Sequence, residues 1–392
     1  MLRVILMYAT LLSLRNTALW AACLGICTIS RQALQRRILG SAAWLRHLLA
    51  VQLTCLAAVP LQALAFIRRF ILMDASVVAR PGSPGIEWRL HLAWQPFHLQ
   101  PAEVVLTDAH EGEGLDKVPL QAGDVVIADR AYGLGRHIRY ALDVLAYFIV
   151  RLTWSNLPLL TPDGQPFDIV TWLRSLPAEA ISAEVIVVAA DDPQRRSLRL
   201  VAGRLPSQKA QEARERVRRQ AGEEKRSPHP NTLFTAGFCL LLTNLPAACV
   251  SPSLILTLYR IRWQIEWCFR RWKSLCHLDR LPAYPAAIAE VVLLAKLLII
   301  LLMQRRLGTL PWDEWWAAEE PAPVVSSLVQ LAYAYTCETI RPVSVLIKLL
   351  EDPTPFMRYL RSCRRKRPLQ LAAAARHLFE LCTGQPPPAL AA

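Results

Sequence analysis

From Arg69 onward the spacing of apolar residues changes from helical to strand-like, and this change confines the chain to a mixed α/β architecture. Before it, Leu, Ala and Trp recur at helical intervals, with Arg residues on the polar faces. Phe70–Val78 is then an apolar, partly β-branched run holding a single carboxylate, Asp74. The turn Pro81-Gly-Ser-Pro-Gly85 separates it from Trp88–Trp94, which alternates as a half-buried strand does. Glu103–Thr107 and Asp124–Ala128 predict two more strands, Leu134–Leu145 a helix, and Ala146–Leu152 a further strand. Together these make one mixed α/β layer.

The texture changes again between about Asn156 and Thr235. Short apolar runs such as Ala183–Ala190 precede a highly charged stretch, Gln208–Arg226, and then Pro-rich punctuation. This predicts an inserted, strand-rich module whose internal pairing the sequence does not reveal. Phe238–Thr243 returns the chain to the α/β layer, and a long helix is predicted from an N-cap at Ser253 to about Cys276. The remainder reads as helical, with a basic cluster at Arg364–Arg367 and a Pro-rich tail from Pro386. The predicted divisions are a helical region 1–68, core parts 69–155 and 236–305 flanking the insertion 156–235, and a helical region 306–392.

Charge narrows the partners. There are 45 Lys+Arg against 31 Asp+Glu, a net +14, which favours a polyanion, and nucleic acid is the commonest. An anionic membrane surface would satisfy the charge equally. The uncharged run Leu48–Ile67 is long enough to span a bilayer, and Val291–Met303 is a second, shorter apolar run. Gln52, Thr54, Pro60 and Gln62 in the first and Lys296 in the second favour buried core helices. Met1–Leu39 has scattered Arg residues and lacks the layout of a secretory signal. The ten cysteines include no Cys-x-x-Cys pair, so reduced, mostly buried thiols in a cytoplasmic protein are expected.

Three carboxylates stand out, each for a different reason. Asp74 lies inside an apolar strand, where a charge is costly unless paired or metal-bound. Asp129 follows the strand Asp124–Ala128 at the turn Arg130-Ala-Tyr-Gly133, a place where an Asp is often only a local cap. Glu266 lies within the long predicted helix, and Tyr259, Arg262, Glu266 and Lys273 follow at intervals of three, four and seven residues. At about 100° per residue they share an arc of roughly 60°. An i,i+4 pair of Arg262 and Glu266 on a solvated face is the ordinary explanation. The apolar neighbours Leu258, Ile261, Trp263, Ile265, Trp267 and Phe269 predict instead a largely buried helix whose charged face needs a partner. Asp108, His110 and Glu111 form a second acidic cluster, read as a solvated loop.

The pattern Tyr259-(2)-Arg262-(3)-Glu266-(6)-Lys273 resembles the Tyr-Arg-Glu-Lys signature of the DDE transposases of the insertion-sequence-four group. Gly123–Gly133 is similar to the block around that family's second catalytic Asp. Asp74-Ala-Ser with Pro81-Gly and Trp88-Arg-Leu-His91 is similar to the block around its first, and Leu240–Pro246 to the strand leading into its signature helix. The resemblance implies an RNase H-like core with a β-rich insertion between the second Asp and the Glu. It also implies that Asp74, Asp129 and Glu266 hold two Mg²⁺ (or Mn²⁺) ions for phosphodiester cleavage and strand transfer. Tyr259, Arg262 and Lys273 would position phosphates of the transposon end, and a homodimer would act on element ends and target DNA.

Two departures from the family accompany the resemblance. Cys239 stands where relatives place a Trp that stabilises an extruded base, which leaves the neighbouring Phe238 as the candidate for base stacking. The chain also starts near sequence that is already helical in relatives, which implies a shortened N-terminal DNA-reading segment. The rival readings are a hydrolytic nuclease of the same fold and an inactive remnant that only binds DNA.

Overall fold

The computed structural model describes residues 1–54, 66–96, 99–283, 285–310 and 325–352. Four helices come first: α1 (Leu2–Leu11), α2 (Leu14–Cys23), α3 (Arg31–Leu39) and α4 (Ala42–Thr54). Three strands follow, β1 (Arg69–Val78), β2 (Trp88–Gln95) and β3 (Gln100–Asp108), then β4 (Asp124–Ala128), α5 (Gly135–Asp143) and β5 (Tyr147–Arg151). The next part holds β6 (Leu159–Leu160), β7 (Pro166–Phe167), α6 (Ile169–Ser175), β8 (Ser182–Ala189), β9 (Ser197–Arg204), α7 (Ser207–Glu223) and α8 (Pro230–Thr235). After β10 (Phe238–Thr243) come α9 (Pro252–Arg260), α10 (Trp263–Ser274), α11 (Ala286–Leu307), α12 (Val325–Ile340) and α13 (Val343–Glu351).

All ten strands join one sheet in the order β3-β2-β1-β4-β5-β10-β9-β8-β6-β7. β1 and β4 are parallel, as are β4 and β5, while β1–β2–β3 and the pairs from β5 outward to β7 are antiparallel. The half β3-β2-β1-β4-β5 is the mixed sheet expected of an RNase H-like core. The region 156–235 is not a sheet of its own: β9 pairs with β10 along six residues and extends the core sheet outward. Ser197–Arg204 was not foreseen as a strand.

Side-chain alternation sorts the residues of each strand between two faces. On one face Ile71, Met73, Val126, Ala128, Phe148, Val150, Leu240 and Leu242 pack with Ile138, Ala141 and Leu142 of α5 and Ile169 and Leu173 of α6. The opposite face therefore receives Leu72, Asp74, Ile127 and Asp129, and there α10 packs on β1. The start of the parallel pair is pinned by Asp124, fully buried. It accepts from Arg69 at 2.8 and 3.0 Å, from Arg68 at 3.2 Å and from the Gln121 N–H at 2.8 Å. Asp124→Ala leaves two guanidinium groups without their shared partner, so we expect a loss of about 3–5 kcal/mol in urea unfolding.

α11 is long and apolar enough to cross a bilayer by length and composition, yet it is packed inside the protein. Its Lys296 is buried and donates to the carbonyls of His277 and Arg280 at 2.5 and 2.6 Å. It thus serves as a core helix, as expected of the run Val291–Met303. Of the run Leu48–Ile67, residues 55–65 lie outside the described residues, as do Arg364–Arg367 and the Pro-rich tail.

The protein divides into two compact units: Met1–Arg37 with the residues from Glu338 onward, and Ile38–Cys337. In the smaller, Ser13 caps α2 by accepting from the Asn16 N–H, and the Arg341 guanidinium lies 5.3 Å over the Trp20 ring. The helical region foreseen for 1–68 is thus shared, since α4 packs on α11 within the larger unit. Cys268 and Cys276 are buried, but Cys23, Cys27 and Cys239 are half-buried and Cys249 is exposed, so the thiols are less enclosed than expected.

Candidate active site

Strand register brings two of the three carboxylates together. Leu72 faces Ile127 and Met73 faces Ala128 across the parallel β1–β4 pair, so Asp74 and Asp129 are the next step along two neighbouring strands. Such strands lie about 4.8 Å apart. Asp129 also caps the 3₁₀ turn Arg130–Tyr132, its carboxylate accepting from the Ala131 N–H at 2.8 Å.

Asp74 contrasts with Asp124. Among the described residues its carboxylate accepts one hydrogen bond, from the Ala75 N–H at 2.8 Å, and makes one ion pair, a loose 3.8 Å contact with Arg262. Burial pushes its carboxyl up to about 7; the Ala75 N–H opposes that rise, Asp129 adds to it, Arg262 opposes it and Glu113 adds to it. A half-buried carboxylate facing a second one, with little compensation, is the electrostatic signature of a functional acid group.

The predicted long helix is two helices. Ser251, not Ser253, caps α9 by accepting from the Leu254 N–H, with Pro252 at the first helical position, where its missing donor costs nothing. Between α9 and α10 the backbone tightens: Ile261, Arg262, Gln264 and Ile265 each donate to the carbonyl three residues back. Such 3₁₀ turns place residues three apart above one another, so Tyr259 and Arg262 align more closely than in an uninterrupted helix. The Arg262 guanidinium lies 5.9 Å from the Tyr259 ring and donates to Glu266 at 2.6 Å. It therefore links Glu266 to Asp74.

Burial of α10 is one-sided. Ile265, Cys268, Phe269 and Trp272 are buried, but Trp263 and Trp267 are exposed, with Arg262 and Arg270 respectively over their rings. The largely buried helix expected from composition is thus amphipathic. Lys273 donates to the Val77 carbonyl at 3.0 Å, tying α10 to the strand that carries Asp74, and burial holds its ammonium below its ordinary range. Tyr259 has a buried hydroxyl without a hydrogen-bond partner, and burial raises it to about 12.

A cleft of about 410 Å³ opens beside Asp129. Arg130, Arg151, Arg216, Arg262, Trp154 and Tyr259 line it. Arg151, Arg216 and Trp154 come from three separate elements, so no local motif announced them. Phe238 borders the cleft, but its ring packs in the core beside Phe234 with Arg204 4.8 Å over it, and 5% of its surface is exposed. Its face is covered. Asp108 accepts from the N–H groups of His110 and Glu111, and Glu111 pairs with Lys117, the solvated loop that was expected.

Among the described residues, no three His, Cys, Asp or Glu side chains converge closely enough to hold a metal ion as they stand. The donor set nonetheless suits a hard divalent cation, because carboxylate oxygens are its preferred ligands. Asp74 and Asp129 repel each other, and the Arg262 cation lies beside both Asp74 and Glu266.

Residues 65–302 match the family model described as the transposase DDE domain. The chain is 34% identical over 298 residues to InsL, assigned to insertion sequence element IS186A of Escherichia coli (strain K12), covering 74% of this chain and 80% of that one. It is 34% identical over 297 residues to the transposase for insertion sequence element IS421 of Escherichia coli, covering 74% and 79%. A cryo-EM structure of a piggyBac transposase synaptic complex with hairpin DNA aligns at 10% identity and a TM-score of 0.35, over 79% of this chain and 57% of that one. By the extent of the domain match and of these relatives, the chain belongs to the DDE transposases.

Proposed function

We propose that this chain cleaves the ends of an insertion sequence and joins them to target DNA, using Asp74, Asp129 and Glu266 to hold two Mg²⁺ or Mn²⁺ ions. The observation that carries the reading is the placement of Asp74, within β1, and Asp129, just after β4, one step beyond the last pair of two parallel strands, with Glu266 joined to Asp74 through Arg262. When bound, the ions supply charge stabilisation for the attacking and departing oxygens of an in-line displacement at phosphorus.

The residues of the chain then have separable tasks. Asp74 is held within β1 and Asp129 at the end of the neighbouring β4. Glu266, on α10, would be the third carboxylate to hold the ions once released from Arg262. Freed from that pair, Arg262 offers its guanidinium to a phosphate, beside Tyr259, whose unpartnered hydroxyl can donate to the same backbone. Lys273 keeps α10 against β1 and has donors left for a phosphate. Arg130, Arg151 and Arg216 make the adjoining cleft attractive to DNA, in keeping with the net +14. The stacking role for Phe238 would need Arg204 to move first. Action on paired ends suggests a homodimer in the DNA complex, in the cytoplasm.

A strand-transfer assay with paired element ends and Mg²⁺ tests the whole reading. Metal-dependent nicking followed by joining is the expected result. Nicking without joining would favour a nuclease, and binding without nicking an inactive remnant. Within the reading, Arg216→Ala should weaken binding to element ends and lower the slope of log K against log salt by about one, as measured by fluorescence anisotropy.

A further inference from the structure

Arg262 engages Glu266 and Asp74 at the same time, each with a different nitrogen. Its Nη2 donates to Glu266 at 2.6 Å, and its Nη1 lies 3.8 Å from Asp74. Among the described residues, the Glu266 carboxylate accepts a hydrogen bond from Arg262 alone. Only 12% of the Arg262 side chain and 18% of the Asp74 side chain are exposed. This is therefore not the loosely held surface pair that an i,i+4 spacing brings to mind. A guanidinium in this place occupies the oxygens that a divalent cation would need, and like charges exclude each other there.

The same guanidinium is only partly satisfied. Its Nε is buried without a hydrogen-bond partner. Arg262 also lines the 410 Å³ cleft together with Asp129, Arg130, Arg151 and Arg216, so it stands on the boundary between the carboxylates and the basic cleft. Its backbone is held on both sides by the 3₁₀ link: the Arg262 N–H donates to the Tyr259 carbonyl at 3.1 Å, and the Ile265 N–H donates to the Arg262 carbonyl at 3.2 Å. A change of partner thus needs only the side chain to turn. A phosphate in the cleft is such a partner, because the planar fork of a guanidinium fits phosphate as well as it fits carboxylate.

Resting on the reading above, we propose that Arg262 is an autoinhibitory latch, which blocks cation loading at Asp74 and Glu266 until a DNA phosphate in the cleft draws it away. Guanidinium and cation compete for the same oxygens. The DNA-free protein therefore binds the ion in proportion to the fraction of molecules whose pair is open. A pair open in about one molecule in ten weakens binding about tenfold. Phosphate takes up the guanidinium and frees both carboxylates, so DNA and cation strengthen each other's binding by the same factor. The cutting centre is then assembled only over a strand already seated in the cleft.

The test is Mn²⁺ binding to the full-length protein, read as loss of the free-ion EPR signal, with circular dichroism and melting temperature as folding controls. Without DNA, Arg262→Gln should bind Mn²⁺ about tenfold more tightly than the parent. Arg262→Lys keeps the charge but lacks the fork that spans two carboxylates, and it should tighten binding several-fold. It carries the test if the Gln variant does not fold. Arg260→Gln, the same charge change at an exposed position of α9, should leave affinity unaltered. A saturating, pre-nicked element-end duplex should tighten Mn²⁺ binding to the parent by about five- to 150-fold, and less for Arg262→Gln. Folded Arg262 variants with the parent's DNA-free affinity, while Asp129→Asn abolishes binding, would overturn the latch and leave the cation site standing. So would equal parent affinities with and without bound duplex. If neither parent nor variants bound Mn²⁺ under either condition, the underlying reading would fall.

Discussion

Asp129→Asn is expected to remove metal-dependent nicking of element ends, by on the order of a thousandfold or more. Several kcal/mol of charge stabilisation at phosphorus are lost with the cation, and each 1.36 kcal/mol is a tenfold change in rate. The substitution is nearly isosteric. An asparagine keeps the side-chain oxygen that accepts from the Ala131 N–H, so the 3₁₀ cap and the strand end should survive. Binding of element ends in EDTA should persist or tighten, because one negative charge is gone from the edge of the arginine-lined cleft. Gel-based nicking with labelled ends reads the first effect and anisotropy the second. Full nicking by a folded Asp129→Asn protein would remove Asp129 from the mechanism.

Asp74→Asn should stabilise the metal-free protein while inactivating it. The sign follows from the raised carboxyl. At low pH the group is protonated in both folded and unfolded chains and costs nothing. As pH rises past the usual Asp range, the unfolded chain releases its proton first, so stability falls until pH passes about 7 and then levels off. The full penalty is of the order of 4 kcal/mol, at about 1.36 kcal/mol per pH unit, and relaxation of the site will reduce it. The substitution keeps the oxygen facing the Ala75 N–H but removes the charge. A gain of several degrees in melting temperature is therefore expected at pH 8 in EDTA, shrinking toward pH 5. Adding Mn²⁺ at pH 8 should stabilise the parent protein and not the variant. A variant less stable than the parent at pH 8 would mean that Asp74 is satisfied by the fold alone.

The strand framework is legible because short apolar, partly β-branched runs bounded by turn residues mark β1, β4 and β10 and alternation marks β2, and for β4 and β10 the sequence boundaries agree with the structure. β9 was hidden. Arg199 interrupts its apolar pattern, and only the fold shows that this arginine is buried against Glu184 and the Leu245 carbonyl. The attachment of β9 to β10, which turns the region 156–235 into an extension of the core sheet, depends on long-range pairing that local pattern does not encode. The domain family was legible from spaced motifs; the adjacency of Asp74 and Asp129 lies in the β1–β4 register.

Around the site, the misreadings share a cause. Trp263 and Trp267 were counted as buried because of residue type, yet guanidinium groups cover their rings at the surface. The 3₁₀ turn at Ile261–Arg262 interrupts a stretch with no Gly or Pro to announce it, and coincides with the ion pairs that Arg262 makes to Asp74 and Glu266. Ser251 and Ser253 flank Pro252 and both suit a cap by residue type; the hydrogen bond from the Leu254 N–H decides for Ser251.

Anomalous diffraction at the manganese edge, from crystals of the protein with an element end and Mn²⁺, tests the central claim most directly. Peaks within coordinating distance of Asp74, Asp129 and Glu266, with Glu266 released from Arg262, are the predicted result. Manganese bound elsewhere, or Glu266 still paired with Arg262 while DNA occupies the cleft, would contradict it.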